Sequence, residues 1–149
     1  MTGPGLRAAA ALLALTATAA RADCFDWDMA GALLHQGTLR GLPPGPVQWR
    51  AGTRPVGGDH SETAVELRWT QGGRSVRQSI FAELQDGTPA LRVVDGQLRL
   101  RVSYCERYGR CRQVTLPYRW DRAAGRFAGA DRNARESLEA VACQPDETG

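Results

Sequence analysis

Apolar and polar residues alternate on both sides of a pair of cysteines in the C-terminal half of the chain, a pattern typical of a β-hairpin. If Cys105 and Cys111 face each other across the hairpin, every opposing pair on one face is apolar: Val102 with Val114, Leu100 with Leu116, and Leu98 with Tyr118. A shift of one residue would place apolar side chains opposite polar ones throughout. The cysteine spacing and the alternation therefore predict the same register.

A second hairpin precedes this one and shares a strand with it. Asp95-Gly96 is a strong signal for a two-residue turn, and such a turn places Val93 opposite Leu98 on the apolar face. The two hairpins together predict a three-stranded meander from about Ala90 to Trp120.

A third hairpin lies upstream, at the turn sequence Gln71-Gly72-Gly73-Arg74. Folding there sets Trp69 opposite Val76 and Val65 opposite Ile80, so the apolar residues again share one face. With these two strands, the sequence predicts an antiparallel sheet of about five strands.

Short helices are predicted near both ends of the domain. Asp26 or Asp28 can cap a helix that runs through Met29 to Leu34. Asp131 can cap a C-terminal helix with one apolar side, which we expect to end at Cys143.

The prolines are concentrated between the N-terminal helix and the first hairpin. Leu42-Pro43-Pro44-Gly45-Pro46 excludes a helix and a central strand, so we expect an ordered surface loop from Gly37 to His60. The predicted fold class is a β-rich α+β domain: an antiparallel meander of about five strands, a proline-rich N-terminal loop, a C-terminal helix and two disulfides.

The first 22 residues have the three parts of a secretory signal peptide. A short segment ending in Arg7 precedes an unbroken run of Ala, Leu and Thr from Ala8 to Ala20, and small residues follow at Ala20-Arg21-Ala22. We expect cleavage after Ala22, with a second possible site at Ala17-Thr18-Ala19. The alternative is an N-terminal core helix.

Cleavage at that position would leave residues 23–149, which we expect to form one disulfide-stabilised domain with a loose tail at 143–149. The apolar run is too short to span a bilayer as a helix, which needs about 20 residues. No later segment could cross a membrane. The predicted location is the bacterial periplasm or the extracellular medium.

The four cysteines are Cys24, Cys105, Cys111 and Cys143. An even number in a small exported protein indicates two disulfides, and three pairings are possible. We favour Cys105–Cys111, which closes a hairpin tip, and Cys24–Cys143, which ties the two ends of the domain together. Their spacing matches no thioredoxin-type redox motif, haem attachment motif or four-cysteine zinc site, so we expect no cofactor and no metal.

Three apolar side chains near the start of the domain, Phe25, Trp27 and Met29, alternate with two aspartates. They could line a pocket. Such a cluster more often completes a core, especially if Cys24 anchors it to Cys143.

All nineteen basic residues are arginine, and the chain contains no lysine. This absence excludes Schiff-base chemistry, the phosphate-loop lysine and the serine–lysine hydrolases. Without residues 1–22 the chain has 17 arginines against 16 acidic residues, a net charge of +1. Bulk charge therefore does not favour a nucleic-acid partner.

The arginines are unevenly distributed along the chain. Eleven of them, against four acidic residues, lie between Arg92 and Arg135. The predicted register places Arg92 opposite Arg99, with Arg101 on the same face and Arg119 on the next strand. Because like charges directly opposite each other destabilise a sheet, either acidic side chains from elsewhere in the chain or an anionic partner must compensate. A solvated face with internal ion pairs and an anion-binding face remain alternatives.

The disulfide-closed tip, Glu106-Arg107-Tyr108-Gly109-Arg110, is the second candidate site. Tyr and Arg commonly anchor protein interfaces, and a covalently closed loop loses less conformational entropy on binding than an open one. Arg107, Tyr108 and Arg110 are therefore candidate contact residues. The alternative is a stabilised turn with no binding role.

The two histidines, His35 and His60, could supply the base of a hydrolase. Asp59-His60-Ser61-Glu62 contains suitable residue types, but neighbours in one loop or strand point in different directions and cannot form a triad among themselves. The nucleophile-elbow motif and the paired-histidine zinc motif are missing from the sequence. We assign no catalytic residue.

Three functions remain as hypotheses. The first is an exported, non-catalytic binding module of the inhibitor, immunity or envelope-interaction type, whose partner is a protein or an anionic envelope component. The second is an accessory structural protein of envelope assembly. The third is a small hydrolase that uses His60 or His35.

Overall fold

The computed structural model describes residues 24–28, 33–57, 60–106 and 109–145. The first antiparallel sheet consists, in sequence order, of β1 (Leu33–Leu39), β2 (Val47–Gly57), β3 (His60–Gln71) and β4 (Arg74–Gln85). The second consists, in sequence order, of β5 (Ala90–Val94), β6 (Gln97–Cys105), β7 (Cys111–Asp121) and β8 (Arg126–Gly129). One helix, α1 (Arg132–Glu139), follows within the described residues. The predicted signal peptide, residues 1–22, lies outside them.

The prediction of about five strands is wrong, because the described chain forms two sheets of four strands each. The difference arises in residues 33–57, which the sequence suggested to be the end of a helix and a proline-rich loop. Here β1 pairs with β2 along its whole length, and only residues 40–46 remain a loop. Pro55 falls within β2 beside a register irregularity, where a missing N–H donor is tolerated.

The predicted registers of the second sheet are confirmed. Cys105 lies opposite Cys111, and the apolar pairs follow as expected: Val102 with Val114, Leu100 with Leu116, Leu98 with Tyr118, and Val93 with Leu98.

The hairpin between β3 and β4 follows its predicted register only near the turn. Trp69 lies opposite Val76, as predicted, but Val65 opposes Phe81 instead of Ile80. A β-bulge at Ile80 places one extra residue in β4, and such an insertion leaves no signal in the alternation of β3.

The inner faces of the two sheets enclose one shared apolar core. Its buried side chains include Val65, Leu67, Phe81, Leu98, Leu100, Val102 and Tyr118. Trp69 of the first sheet meets Trp120 and Phe127 of the second edge-on, with ring centroids 5.5 and 5.6 Å away. Edge-to-face geometry of this kind adds about 0.5–1.5 kcal/mol per pair beyond the burial of apolar area.

Hydrogen bonds join the end of β4 to β6 of the other sheet. The Asp86 amide donates to the Ser103 carbonyl over 2.7 Å, and the Asp86 carboxylate accepts from the Cys105 amide over 2.8 Å. Gln85 accepts from the Ser103 amide and donates to the Thr63 hydroxyl. The base of the disulfide-closed tip is therefore fixed to both sheets.

The C-terminal helix begins as predicted but ends earlier. Asp131 is its N-cap and accepts from the Ala134 amide over 2.8 Å, whereas the last helical residue is Glu139 instead of a residue near Cys143. The helix packs so closely on β8 that a Cβ at Gly129 would lie 2.4 Å from the Arg135 nitrogen. Within the described part of the chain, no helix has the length and apolarity needed to cross a membrane.

Both predicted disulfides are present. Cys105 and Cys111 close the β6–β7 hairpin, and Cys24 and Cys143 join the segments that precede β1 and follow α1.

Candidate functional site

Four arginines lie together on the outer surface of the second sheet. Arg92 of β5 is directly opposite Arg99 of β6, and Arg101 follows two residues later on β6. Arg99 also pairs with Pro117 of β7, so Arg119 lies diagonally across from it. Arg99 is therefore the centre of this group, which we call the arginine face (Arg92, Arg99, Arg101 and Arg119).

Small or uncharged residues surround the arginine face. Its cross-strand neighbours are Ala90, Thr115, Pro117 and Ala128. Arg92, Arg101 and Arg119 are exposed, whereas Arg99 is half-buried. Guanidinium groups therefore dominate the chemistry that this surface offers to a partner.

In the part of the chain that the structure describes, no acidic side chain neutralises the charges of the arginine face. Ion pairs between described residues include Arg50 with Glu66, Arg54 with Glu62, and Arg132 with Glu136. These three lie on the first sheet or on α1. Among the described residues, no carboxylate forms an ion pair with the arginine face.

Arg99 also carries a hydrogen-bond donor that has no acceptor among the described residues. Its Nε is buried and has no hydrogen-bond partner among the described residues. A buried donor without an acceptor costs roughly 1–3 kcal/mol, and the like charge of Arg92 directly opposite adds to that cost. An anion bound here would offset the repulsion between the two guanidinium groups.

The disulfide-closed tip is described only in part. Gly109 donates its amide to the Glu106 carbonyl over 3.1 Å, and Arg110 is exposed beside it. The candidate contact residues Arg107 and Tyr108 lie outside the described residues. The structure therefore places the base of this loop and leaves the predicted contact surface at its tip unassigned.

The two histidines are not brought together. His35 lies on β1 opposite Ala51, and His60 begins β3 opposite Gly57. These two strands do not pair with each other. Within the described ranges, no group of three or more His, Cys, Asp or Glu side chains could hold a metal ion.

Phe25 and Trp27 lie on the outer surface of the first sheet and do not complete its core, whereas Met29 lies outside the described residues. Phe25 and Trp27 contact each other edge-on, with centroids 4.8 Å apart. A Cβ at Gly52 would be 2.6 Å from the Phe25 ring, so only glycine lets the ring lie against β2. We call residues 24–28, tied to Cys143 by the disulfide, the terminal strap.

Two rows of polar side chains lie beside the terminal strap, each running across all four strands of the first sheet. Cross-strand pairing defines one row as Gln36, Arg50, Glu66 and Ser79, and the other as Thr38, Gln48, Arg68 and Arg77. A cleft of about 490 Å³ lies over them, lined by every member except Ser79.

Sequence reasoning missed this cleft. The alternation of Glu66 and Arg68 with the core residues of β3 does predict that both point outwards. Their neighbours Arg50 and Gln48 lie on β2, for which the sequence predicts a loop, so the sequence alone does not assemble the rows.

Comparison with known proteins identifies no relative: no family model, no curated protein and no solved structure matches the chain. Its function is therefore inferred from its own residues. The surfaces available for that purpose are the arginine face of the second sheet and the polar cleft of the first.

Proposed function

We propose that this protein is an exported, non-catalytic binding module that holds an acidic partner protein against the arginine face. The observation that carries the proposal is the environment of Arg99. It faces Arg92, it has a buried Nε without a partner, and no described carboxylate pairs with it. A carboxylate-bearing surface supplies the counter-charge that this group lacks.

The side chains of this face suit a protein surface better than a bilayer. Among the described residues, the large exposed apolar side chains are Leu34, Val56 and Leu84, which all belong to the first sheet. The arginine face therefore offers no apolar anchor of the kind that inserts into a membrane interface. Arginine forks bind carboxylates in a planar, bidentate geometry, and arginine is enriched in protein interfaces.

An extracytoplasmic location supports the same proposal. Two disulfides are typical of proteins that fold in an oxidising compartment, and the predicted signal peptide would deliver the chain there. Such a face would serve an inhibitor, an immunity protein or an envelope-assembly factor equally well. Identification of the partner distinguishes these three functions. The hydrolase hypothesis uses His60 or His35 alone, so it stays a separate prediction that replacement of a single histidine would test.

Site-specific photo-crosslinking in the producing cells tests the proposal. A photoreactive residue at Thr115, which is exposed and opposite Arg101, samples the arginine face. The same residue at Thr70, exposed on the outer side of β3, is the matched control on the other sheet. We expect the Thr115 probe alone to capture a protein through a segment rich in Asp or Glu, and Arg99→Gln with Arg101→Gln to abolish that capture.

Three outcomes would overturn the proposal. One is capture of the same proteins from Thr70 as from Thr115. Another is capture of lipid alone, which would assign the face to a membrane surface. The third is capture from Thr115 that persists in the arginine double variant.

A further inference from the structure

The edge strands of the two sheets differ in how their outer edges are protected. An edge strand presents unpaired N–H and C=O groups, which can pair with another strand unless the chain blocks them. The edge strands are β1 and β4 of the first sheet and β5 and β8 of the second. Among the described residues, three of these strands carry features that block such pairing, and β1 carries none.

The edges of β4 and β8 are occupied by side chains. The Gln144 amide bonds both backbone groups of Ser79 in β4 over 3.0 Å, and the same strand contains the bulge described above. In β8, which has only four residues, Gln78 bonds both backbone groups of Phe127. The backbone groups that another strand would need are therefore already used at these positions.

The strand β5 is protected by its length, its charge and a loop. It has five residues, and the exposed Arg92 lies in the middle of them. The loop before β2 approaches it, since a Cβ at Gly41 would lie 4.0 Å from Cγ1 of Val93. Short edge strands that carry a charge are a common protection against unwanted pairing.

The strand β1 lacks each of these features. Its seven residues, Leu33–Leu39, include no proline, arginine or acidic residue, and its pairing with β2 continues without a register shift. Within the part of the chain that the structure describes, no hydrogen bond reaches β1 from outside the first sheet. Leu34, which is 56% exposed, adds an apolar side chain at this edge. The outer edge of β1 is therefore an open template for an additional strand.

We propose that β1 pairs with β1 of a second copy of this chain, antiparallel and about a two-fold axis at Gln36. In this register Gln36 lies opposite Gln36 of the second copy. Leu34 then lies opposite Thr38, and Leu33 lies opposite Leu39. No pair of like charges forms, and the first sheets of the two copies join into one continuous sheet.

The uncharged composition of β1 favours a copy of itself over an unrelated strand. Charged side chains opposite one another make strand pairing selective, and β1 offers none that could select a foreign partner. Self-pairing also places His35 of the second copy opposite Gly37. The Trp49 ring covers Gly37, with Nε1 2.8 Å from the position of a Cβ, so each imidazole packs against an indole.

This pairing stops at the dimer, because each copy offers one such edge among its described strands. The contact is confined to seven residues in each copy, whereas a standard interface has about 20–30 residues a side. We therefore expect a weak dimer, with a dissociation constant on the order of 100 µM. The association does not depend on the arginine face, which belongs to the second sheet, so the two proposals can fail separately.

Sedimentation velocity of the oxidised protein between about 10 µM and 1 mM tests the pairing. We expect a monomer–dimer equilibrium, in which hydrogen exchange of the β1 amides slows as the concentration rises. Gln36→Arg places two positive charges opposite each other at the axis and should weaken the dimer about fivefold or more. Gln113→Arg adds the same charge at an exposed position of β7 and should change the affinity less than about twofold.

A mixture of opposite charges keeps the test decisive even if one variant folds less well. Gln36→Glu alone should weaken the dimer less than Gln36→Arg, because Arg50 of β2 lies opposite position 36. An equimolar mixture of the two variants should form a heterodimer at least as stable as the wild-type dimer.

Three results would overturn the proposal. One is a wild-type protein that stays monomeric up to about 1 mM, which would leave the edge to a strand of another protein. Another is an equal effect of Gln36→Arg and Gln113→Arg on the dimer. The third is a mixture of Gln36→Glu and Gln36→Arg that does not associate.

Discussion

Gln78 of β4 joins the two sheets through both backbone groups of Phe127 in β8. Its Nε2 donates to the Phe127 carbonyl over 2.8 Å, and its Oε1 accepts from the Phe127 amide over 2.9 Å. β4 and β8 are edge strands of different sheets. One buried side chain thus satisfies backbone groups that would otherwise be left unpaired at the junction.

Replacing Gln78 should therefore destabilise the fold more than the loss of one side chain suggests. Gln78→Leu keeps the volume but leaves the Phe127 amide and carbonyl buried without partners, so we expect a loss of about 3 kcal/mol in the free energy of unfolding. Urea denaturation measures it. Gln113→Leu, on the exposed side of β7, is the control and should change stability by less than about 0.5 kcal/mol. Equal effects of the two substitutions would show that Gln78 does not hold the junction.

The two disulfides should differ in their contribution to stability. Cys24 and Cys143 are separated by 119 positions, and Cys105 and Cys111 by six. In the chain-entropy model the long closure contributes nearly 5 kcal/mol at about 25 °C and the short one about 2 kcal/mol. Denaturation of the two Cys→Ala double variants should reproduce this order. The reverse order would mean that the tip disulfide, and not the link between the chain ends, dominates stability.

Alkaline pH should destabilise the protein through buried Tyr118 and half-buried Tyr104. Burial raises the pKa of Tyr118 far above its ordinary value of 10.0. Burial, and then the neighbouring Glu83 carboxylate, also raises the pKa of Tyr104. A raised folded-state pKa gives stability that is complete below pH 10 and is lost above it, because the unfolded chain then releases a proton that the fold retains.

The chain makes this effect simple to measure, because it has no lysine to titrate in the same range. Above pH 10 Tyr118 should lower the free energy of unfolding by up to about 1.4 kcal/mol per pH unit, and the more exposed Tyr104 should contribute less. Tyr118→Phe should make the decline shallower, and it should cost roughly 1 kcal/mol at neutral pH through the lost bond to the Ile80 carbonyl. A decline as steep in Tyr118→Phe as in the wild type would contradict the assignment.

A charge reversal within the arginine face should separate stability from binding. Arg92→Glu places a carboxylate opposite Arg99 and converts a repulsive cross-strand pair into an attractive one, with an expected gain of about 0.5 kcal/mol in stability. Partner capture through Thr115 should fall at the same time. Arg122→Glu, with the same change in net charge on an exposed turn, should give neither effect. A loss of stability in Arg92→Glu would show that the wild-type pair is not repulsive.

The second sheet could be predicted from the sequence because its information is local. Asp95-Gly96, the cysteine pair and strict alternation all specify one register for β5, β6 and β7. β1 and β2 lack such signals, since prolines and glycines weaken the strand pattern and their pairing depends on contacts with β3. Non-local contacts of this kind override local propensity, as the failed helix prediction at Leu33 and Leu34 shows.

The difference between local sequence signals and non-local contacts also explains which candidate residues could be predicted from the sequence. The arginine face follows from the register, so the opposition of Arg92 and Arg99 was predictable from the sequence. The buried Nε of Arg99 and the lack of an ion pair among the described residues were not, because both depend on the packing of side chains. The polar cleft needed β2, which the local sequence pattern does not predict as a strand.

The most direct test of the binding role compares the affinity of a short polyglutamate peptide for three forms of the protein by calorimetry at constant ionic strength. The forms are the wild type, Arg99→Gln with Arg101→Gln, and Arg74→Gln with Arg122→Gln, which removes two exposed charges elsewhere. We predict that the first pair of substitutions weakens binding about tenfold or more and that the second changes it less than about twofold. Equal weakening by both pairs would mean that net charge alone attracts the peptide. Unchanged binding in the first pair would remove the arginine face as the site.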